Sequence, residues 1–311
     1  MITMLSMNLK SFTTLVLIGF LSLSRTSEAA PVYSNHICSN TTTFTQNSTY
    51  HSNLNLLLSS LTSNATIDTG YYYTTTSSQD SNSAVYGAFL CRGDLTSSTC
   101  QDCVTTAATE AVQKYCPFRK VTLLWYFECM LRYGNVSFFR KMDESPSDYF
   151  RNPSNSTEPK RFNQLVAETV TGMVSVAANA QTGAKKFAMK QENFDGFEPL
   201  YSLVQCTPDL SSTDCDQCLR GAIELLPKCC DGRKGGRVLF PSCNIRYESL
   251  PFYNLDTSTP PTTPPPLPPP PQLPGSVPRS KGKFNLYEAV KCLEFLHIHL
   301  CTKKNIILFR K

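Results

Sequence analysis

Two pairs of cysteines are the residues whose types and spacing raise a chemical question first. Each pair has the spacing C-x2-C, at Cys100 and Cys103 and again at Cys215 and Cys218. Two thiols at this spacing can bind zinc, form a catalytic redox pair or take part in structural disulfides. Histidine does not strengthen the zinc interpretation, because all four histidines lie far from both pairs in the sequence: His36, His51, His297 and His299. The choice therefore depends on the compartment in which the chain folds.

The cysteine pattern occurs twice in the chain. The motif C-x8-C-x2-C begins at Cys91 and again at Cys206, so its three cysteines repeat at an offset of 115 residues. The repeat continues downstream, where two further pairs keep a spacing of 13 positions: Cys116 with Cys129, and Cys230 with Cys243. Such a period exceeds the roughly 20 to 50 residues of a solenoid unit. The sequence therefore predicts a duplicated domain of about 105 residues per copy.

Residues 1–29 predict a secretory signal peptide. They contain Lys10, an apolar run at residues 14–23, and the small residues Ser27 and Ala29 where a signal peptidase would cut. An apolar run of about ten residues is too short to cross a bilayer, which needs about 20. A buried core helix is the alternative interpretation of this run.

Export to an oxidising compartment makes disulfides the first interpretation of the 14 cysteines. Zinc binding and redox catalysis remain the alternatives. N-glycosylation is expected for an exported chain, and five asparagines begin N-x-S/T sequons: Asn40, Asn47, Asn64, Asn135 and Asn155.

Apolar periodicity predicts two helices in each copy. The spacing i, i+3, i+4, i+7 defines a first helix in both copies, with Leu54, Leu57, Leu58 and Leu61 in copy one, and Phe162, Leu165, Val166, Thr169, Val170, Met173 and Val174 in copy two. A second helix begins at an N-cap of Ser97 or Ser98 in copy one. In copy two it presents one apolar face, formed by Leu219, Ala222, Ile223 and Leu226.

Runs rich in β-branched and aromatic residues predict strands between and after these helices. They lie at residues 70–76, 84–91 and 121–127 in copy one, and at residues 185–191, 200–206 and 236–248 in copy two. Two helices with a strand-rich remainder predict an α+β domain, in which the helices pack on one face of an antiparallel sheet.

The repeated pattern resembles the ginkbilobin-homologous domain of plants. The C-x8-C-x2-C motif, its tandem occurrence and the segment CCDGRKGGRVLFPSCNIRYE at residues 229–248 carry this resemblance. Tandem copies are similar to the ectodomains of cysteine-rich receptor-like kinases and to secreted cysteine-rich repeat proteins. The resemblance implies two domains, at residues 32–138 and 139–253, each with a five-stranded antiparallel sheet, two helices and stabilising disulfides.

The same resemblance implies how the cysteines pair. In copy one the implied bridges are Cys38 with Cys116, Cys91 with Cys100, and Cys103 with Cys129; in copy two they are Cys206 with Cys215, and Cys218 with Cys243. The position corresponding to Cys38 falls near Pro153, where copy two has no cysteine. Cys229 and Cys230 are therefore expected to form either a vicinal bridge or two free thiols, and the sequence does not assign Cys292 and Cys301.

A sugar site is a further implication of the resemblance. Some ginkbilobin-type proteins bind mannose through an Asn after the first cysteine, an Arg before the last one and a Glu after it. A guanidinium and a carboxylate can together hydrogen-bond neighbouring hydroxyls. In copy two, Arg237 and Glu248 match and no Asn does; copy one has Ser39, Leu123 and Gly134 at these positions. The alternative is that Arg237 and Glu248 form a surface ion pair that supports the sheet.

Other motifs carry less weight. Arg92-Gly93-Asp94 has the sequence of an adhesion tripeptide, but the aligned TPD in copy two indicates only a turn. The sequence has no nucleophile-elbow, zinc-protease or P-loop motif, so we expect no enzyme, cofactor or bound metal. The net charge of +5 arises partly from the C-terminal tail and does not indicate nucleic-acid binding.

The composition changes after the second copy. Residues 254–279 predict a proline-rich linker in an extended conformation, and residues 280–311 a basic tail that is disordered or forms a short helix. The tail has no apolar run of about 18 residues, so no membrane span is predicted. The chain thus resembles a receptor ectodomain without an anchor or a kinase.

Three classes of function follow from the sequence. The first is a secreted, apoplastic binding module that recognises a mannose-like carbohydrate or a protein, with a receptor as a further partner, in plant defence or stress signalling. The second is a truncated receptor-kinase ectodomain acting at the plasma membrane. The third is a thiol oxidoreductase that uses the C-x2-C pairs.

Overall fold

The computed structural model describes residues 29–78, 83–194 and 198–254. These residues form two antiparallel five-stranded sheets with four α-helices. The predicted signal peptide up to residue 28, the linker beyond Asn254 and the basic tail lie outside the described residues. Within the described ranges, no helix combines the length and apolarity that crossing a bilayer requires.

The first domain follows the order β1, α1, β2, β3, α2, β4, β5. Its elements are β1 (Tyr33–Cys38), α1 (Thr49–Ser63), β2 (Tyr71–Thr76), β3 (Val85–Cys91), α2 (Ser97–Glu110), β4 (Thr122–Tyr126) and β5 (Cys129–Gly134). A π-helical turn, Ala111–Tyr115, extends α2. The strands lie side by side in the order β1-β4-β5-β3-β2, and every neighbouring pair is antiparallel.

The second domain repeats this topology. Its elements are β6 (Asp148–Arg151), α3 (Pro159–Ala178), β7 (Lys186–Asn193), β8 (Pro199–Cys206), α4 (Ser212–Cys230), β9 (Gly235–Leu239) and β10 (Cys243–Glu248). The strand order is β6-β9-β10-β8-β7, which matches the first sheet strand for strand. The predicted α+β fold is therefore confirmed. The apolar and β-branched patterns did not mark β1 and β6, which only the family resemblance implied.

The helices form where the apolar periodicity predicted them. Leu54, Leu57 and Leu61 of α1 are fully buried against the first sheet. The N-cap of helix α2 is Thr96 and not Ser97 or Ser98, so the prediction was one or two residues too late. The hydroxyl of Thr96 accepts a hydrogen bond from the amide of Thr99. An N-cap residue needs an extended backbone, which Thr96 has, whereas Ser97 is already helical.

Six disulfides link the described residues, and four of them join a helix to a strand. The bridged pairs are Cys38–Cys116, Cys91–Cys100 and Cys103–Cys129 in the first domain, and Cys206–Cys215, Cys218–Cys243 and Cys229–Cys230 in the second. Neither C-x2-C motif forms a bridge within itself. Each of its cysteines has a partner on a strand, so the redox-pair interpretation loses its structural basis.

The two sheets pack against each other through the faces that carry no helices. Along β4, Leu124 and Tyr126 face the helices of their own domain, whereas Leu123 and Trp125 face away from them. Leu239 of β9 joins this second face in one buried cluster, together with residues of the first sheet: Tyr71, Ala88, Leu90, Leu123, Trp125 and Met130. The domains therefore share an apolar core between their sheets.

Polar contacts surround this shared core. Gln205 of β8 donates a buried hydrogen bond of 2.9 Å to the carbonyl of Cys91, and Lys185 donates one of 3.1 Å to the carbonyl of Gly93. Asp94 accepts hydrogen bonds from Arg92 and from the amide of Asn254. Because the side chain of Asp94 is fully buried, the Arg92-Gly93-Asp94 tripeptide does not present its carboxylate for adhesion.

Truncating the shared core should destabilise the protein. We expect Leu239→Ala to lower the free energy of unfolding by about 2 to 5 kcal/mol, because it leaves a cavity between the two sheets. Leu250→Ala is the matched control, since Leu250 is 75% exposed and its loss should change stability by less than about 0.5 kcal/mol. Urea denaturation measures both, and equal effects would contradict the shared core.

The cysteine pairing can be read directly from peptides. We expect non-reducing digestion and mass spectrometry to join Cys91 to Cys100 and Cys206 to Cys215, and to find Cys229 and Cys230 as one internally bridged peptide. If these cysteines react with an alkylating agent before reduction, the disulfide framework is wrong and metal or redox chemistry must be reconsidered.

Candidate functional site

A cleft of about 240 Å³ lies where the second sheet meets one end of the first domain. Both domains contribute to it. The first domain supplies Tyr33, Ser34 and Phe127, and the second supplies Phe150, Arg151, Asn152, Gly236, Arg237, Arg246 and Glu248. The cleft therefore combines aromatic rings with amide, guanidinium and carboxylate groups, and it contains both residues that the sequence predicted for a sugar site.

The β9–β10 hairpin positions the charged residues. Side chains alternate along β10, so Ile245 and Tyr247 enter the core of the domain while Arg246 and Glu248 share the opposite face. Arg237 of β9 lies directly opposite Arg246 in the strand register. Sequence periodicity thus places three charged groups on the face that meets the first domain.

Glu248 pairs with Arg246 and not with Arg237. Its Oε1 accepts hydrogen bonds from Nε and Nη2 of Arg246, at 3.3 and 3.2 Å. The residue opposite Glu248 in the register is Gly235, and a side chain there would collide with the Glu248 carboxylate. The expected Arg237–Glu248 ion pair is therefore replaced by a pair between neighbours on β10.

The strand register identifies a structural counterpart of the expected asparagine, which the 115-residue offset between the two copies did not identify. Cys38 of β1 lies opposite Thr122, and Arg151 of β6 lies opposite Gly236. Thr122 and Gly236 both stand seven positions before the last cysteine of their domains, so Arg151 occupies the place of Cys38. The residue after it, Asn152, is thus the structural counterpart of the expected asparagine.

Asn152 contacts the carboxylate of the site. Its Nδ2 donates to Oε2 of Glu248 at 3.4 Å. The sequence comparison missed Asn152 because, without a cysteine in β6, the fixed offset pointed to Pro153. The signal that could have found it is the pairing of β6 with β9, which spacing within the chain does not reveal.

The guanidinium of Arg237 donates hydrogen bonds to the first domain. It is 9% exposed, and its Nη2 donates to the carbonyl of Tyr126 at 3.2 Å while Nη1 donates to the hydroxyl of Ser34 at 3.4 Å. Desolvation, followed by the charges of Arg246 and Arg92, lowers the pKa of Arg237 to about 9. Arg237 remains charged at neutral pH, and its donors are partly used to hold the domains together.

Arg246 lies between two aromatic rings. Its guanidinium is 4.7 Å from the ring centroid of Phe127, in the first domain, and 4.2 Å from that of Phe252. Such stacking holds the guanidinium plane through cation–π attraction and leaves its edge for hydrogen bonding. Arg246 was not predicted from the sequence, yet with Glu248 and Asn152 it forms the connected polar group of the cleft.

The first domain has no comparable polar group at the corresponding positions. Leu123 stands where Arg237 stands in the second domain, and it is buried in the core between the sheets. Ser39 and Gly134 supply no amide or carboxylate side chain at the other two positions. An apolar residue at position 123 is what the packing requires, because the second sheet covers this face.

The predicted glycosylation sites lie at the surface of both domains. Asn40, Asn47 and Asn155 are exposed, whereas Asn64 and Asn135 are half-buried. Asn64 ends helix α1, where its Nδ2 donates to the carbonyl of Ser60 at 2.8 Å. Glycosylation stays a prediction at all five positions. The unassigned Cys292 and Cys301 lie outside the described residues.

Comparison with known families agrees with this architecture. The family model described as salt stress response/antifungal matches residues 37–136 and 148–250. The chain belongs to the salt stress response/antifungal family. The two matches coincide with the two sheets of the structure and confirm the tandem resemblance found in the sequence.

Relatives within this salt stress response/antifungal family include both kinases and secreted proteins. The chain is 42% identical over 277 residues to cysteine-rich receptor-like protein kinase 25 of Arabidopsis thaliana, with 88% of the chain and 40% of that protein covered. It is 42% identical over 218 residues to the Arabidopsis cysteine-rich repeat secretory protein 38, covering 70% and 84%. An antimicrobial ginkbilobin-2-like protein of Castanea crenata is 37% identical over 232 residues, covering 75% and 92%.

Solved structures show the same fold. The tandem DUF26 ectodomain of the Arabidopsis cysteine-rich receptor-like protein PDLP8 aligns with a TM-score of 0.60 at 24% identity, covering 70% of this chain and 98% of that one. The PDLP5 ectodomain aligns with a TM-score of 0.56 at 26% identity and the same coverage. The protein is therefore a tandem DUF26 ectodomain-like chain of the salt stress response/antifungal family.

Proposed function

We propose that this protein is a secreted, non-enzymatic binding module that recognises an extracellular carbohydrate in the cleft between its domains. The observation that carries the proposal is the group formed by Asn152, Arg246 and Glu248 beside the rings of Tyr33, Phe127 and Phe150. Ligand sites are typically concave and aromatic-lined, with a few placed polar groups, which is the composition of this cleft.

The polar group suits neighbouring hydroxyls. The amide of Asn152 donates and accepts, the guanidinium of Arg246 donates, and the carboxylate of Glu248 accepts. A sugar hydroxyl both donates and accepts, so adjacent hydroxyls can bridge such groups. The aromatic rings offer apolar surface to the C–H face of a pyranose ring. This arrangement supports carbohydrate recognition in the second domain, at residues 139–253, and none in the first, at residues 32–138.

Relatives support an extracellular role. One relative is named a secretory protein and another is named antimicrobial. The proposed setting is accordingly the apoplast, in plant defence or stress signalling, with a receptor as a possible class of partner.

The second candidate function is that of a receptor-kinase ectodomain at the plasma membrane. It is favoured by the alignment with receptor-like protein kinase 25, which covers 88% of this chain. The chain spans 40% of the length of that kinase, so the activity of the whole kinase does not transfer to it.

Neutral mannose should bind weakly or not at all. Two of the hydrogen-bond donors of Arg237 already bind Ser34 and the carbonyl of Tyr126 in the first domain. The cleft therefore offers a sugar fewer hydrogen bonds than it would if Arg237 were unpaired. We expect no mannose binding, or millimolar binding of about −4 kcal/mol, with any residual binding lost in Glu248→Gln. Calorimetric titration with mannose and mannan measures this. Micromolar binding that survives both Glu248→Gln and Arg237→Ala would place the sugar site elsewhere.

The location of the protein separates the two candidate functions. Expressed in plant cells, the chain is expected in the medium in glycosylated form, detected by a mobility shift on treatment with a glycosidase. Recovery only in carbonate-washed membranes would instead favour the receptor ectodomain.

A further inference from the structure

An apolar cavity of about 290 Å³ lies in the second domain, between helices α3 and α4. Part of its lining is buried and part is exposed to solvent. The buried lining includes Val166, Leu226, Cys230 and Tyr247, and the exposed lining includes Gln164, Ala167 and Pro227. Among the described residues, it shares no lining residue with the cleft that contains Glu248. The cavity is therefore a separate site that a ligand can enter from solvent.

The first domain shows what fills the corresponding space there. The buried positions of α1 and α3 coincide when the two helices are aligned at an offset of 116 residues. The matched buried pairs are Asn53 with Thr169, Leu54 with Val170, Leu57 with Met173, Leu58 with Val174, and Leu61 with Ala177. The same alignment places Tyr50 at the position of Val166. The cavity thus has a valine where the first domain has a tyrosine.

Aromatic rings occupy this space in the first domain. Tyr50 is 4% exposed, and its ring centroid lies 5.4 Å from that of Phe44. The ring of Phe44 in turn lies 5.8 Å from that of Phe118. Burial, followed by the nearby phenol of Tyr133, raises the pKa of Tyr50. Tyr133 corresponds to Tyr247, since each stands four positions after the last cysteine of its domain. Tyr50 therefore fills the space beside this tyrosine.

Backbone geometry identifies the counterparts of the other two rings. Phe118 and Gly232 each stand 11 positions before the last cysteine of their domains, and their φ angles are 60° and 67°. The amide of Phe44 donates to the carbonyl of Phe118 at 3.0 Å, and the amide of Ser156 donates to that of Gly232 at 2.8 Å. Ser156 and Gly232 therefore match the two phenylalanines. With Val166, they leave the second domain without an aromatic ring at any of the three positions.

Helix α4 fills only part of the space that these rings would occupy. Ile223 stands at the position of Ala108, because each follows the first cysteine of its C-x2-C motif by eight residues, and it brings a larger apolar side chain to the lining. The remaining volume of about 290 Å³ exceeds the roughly 150 Å³ of an apolar cavity that binds one benzene molecule. The volume therefore suits one aromatic ring or two fused rings.

The polarity of the lining favours a neutral ligand. None of the described residues that line the cavity is charged. The hydroxyl of Tyr247 already donates to the carbonyl of Cys230 at 3.1 Å. The side chain of Asn163 is also used, since its Nδ2 donates to the Asp231 carboxylate and its Oδ1 accepts from the amide of Gly232. Burying a charge without a partner is costly, so a carboxylate ligand is disfavoured.

We propose that this cavity binds a small neutral aromatic molecule, whose ring takes the place that Tyr50 and Phe44 occupy in the first domain. The ring packs against Val166, Leu226 and Tyr247. Removal of apolar surface from water drives binding, and contact with the ring of Tyr247 favours an aromatic over a saturated ligand. The site acts independently of the proposed sugar-binding cleft, because the two have separate linings.

Pairs of probes that differ in one property test the ligand class. The full-length protein is titrated by calorimetry with indole, with phenol against cyclohexanol, and with benzyl alcohol against benzoate. We expect saturable binding of indole and phenol. Phenol should bind at least about threefold more tightly than cyclohexanol, because only phenol makes ring–ring contact. Benzyl alcohol should bind at least about tenfold more tightly than benzoate, whose charge would be buried without a partner.

Two variants locate the site. Val166→Phe restores an aromatic ring at the position of Tyr50, and Ala167→Trp places a large side chain at the exposed lining; each should weaken indole binding at least about tenfold. Val176→Phe is the matched control, because Val176 is 63% exposed on the same helix and lies outside the cavity, so the affinity should not change. Circular dichroism and thermal unfolding show whether each variant is folded. If Val166→Phe does not fold, Ala167→Trp decides the location.

Three results would each overturn the proposal. The first is the absence of saturable binding by every aromatic probe. The second is equal binding of phenol and cyclohexanol, or of benzyl alcohol and benzoate, which would contradict the neutral aromatic ligand. The third is indole binding that the folded variants of Val166 and Ala167 retain, which would place the ligand elsewhere. Sugar binding is unaffected by any of these results, because neither residue lines the cleft.

Discussion

Leu239 is buried in a core that two domains build jointly, and this packing of sheet against sheet constrains the rest of the structure. Each sheet has one face covered by its own helices, which leaves a second face that must either meet water or be covered. In the first domain that second face is apolar, because Leu123 and Trp125 point out of the sheet on this side. Covering it with the second sheet removes this apolar area from water and fixes the two domains as a pair.

The same packing decides which domain has polar side chains on the face between the sheets. In the first domain this face is apolar, and Leu123 stands at the position that Arg237 has in the second domain. The second domain has charged residues on this face, and they contact the first domain: Arg237 donates to the carbonyl of Tyr126, and Phe127 stacks on Arg246. The cleft is therefore composite: neither domain alone contains its lining. Arg237 and Arg246 both contact the first domain and line the cleft.

The accuracy of sequence reasoning differs between the fold and the site, for a physical reason. The helices were predictable because apolar residues recur at the helical period, as Leu54, Leu57 and Leu61 show. The short edge strand β6 carries no such signal, since its four residues are mostly exposed. Asn152, which follows β6, was missed for this reason. Arg246 was also missed, because its importance comes from stacking between Phe127 and Phe252, which are distant from each other in the chain.

The sequence by itself determined the duplication, the α+β class of each domain and its membership of a cysteine-rich family. These features depend on the spacing of residues within one copy, which a linear chain displays directly. Only the tertiary structure decided that Arg237 is buried, that Glu248 pairs with Arg246 and that Asn152 joins them. These facts depend on strand register and on the contact between two domains, which bring together residues from opposite ends of the chain. Burial and charge balance are properties of that assembled environment, so no local pattern encodes them.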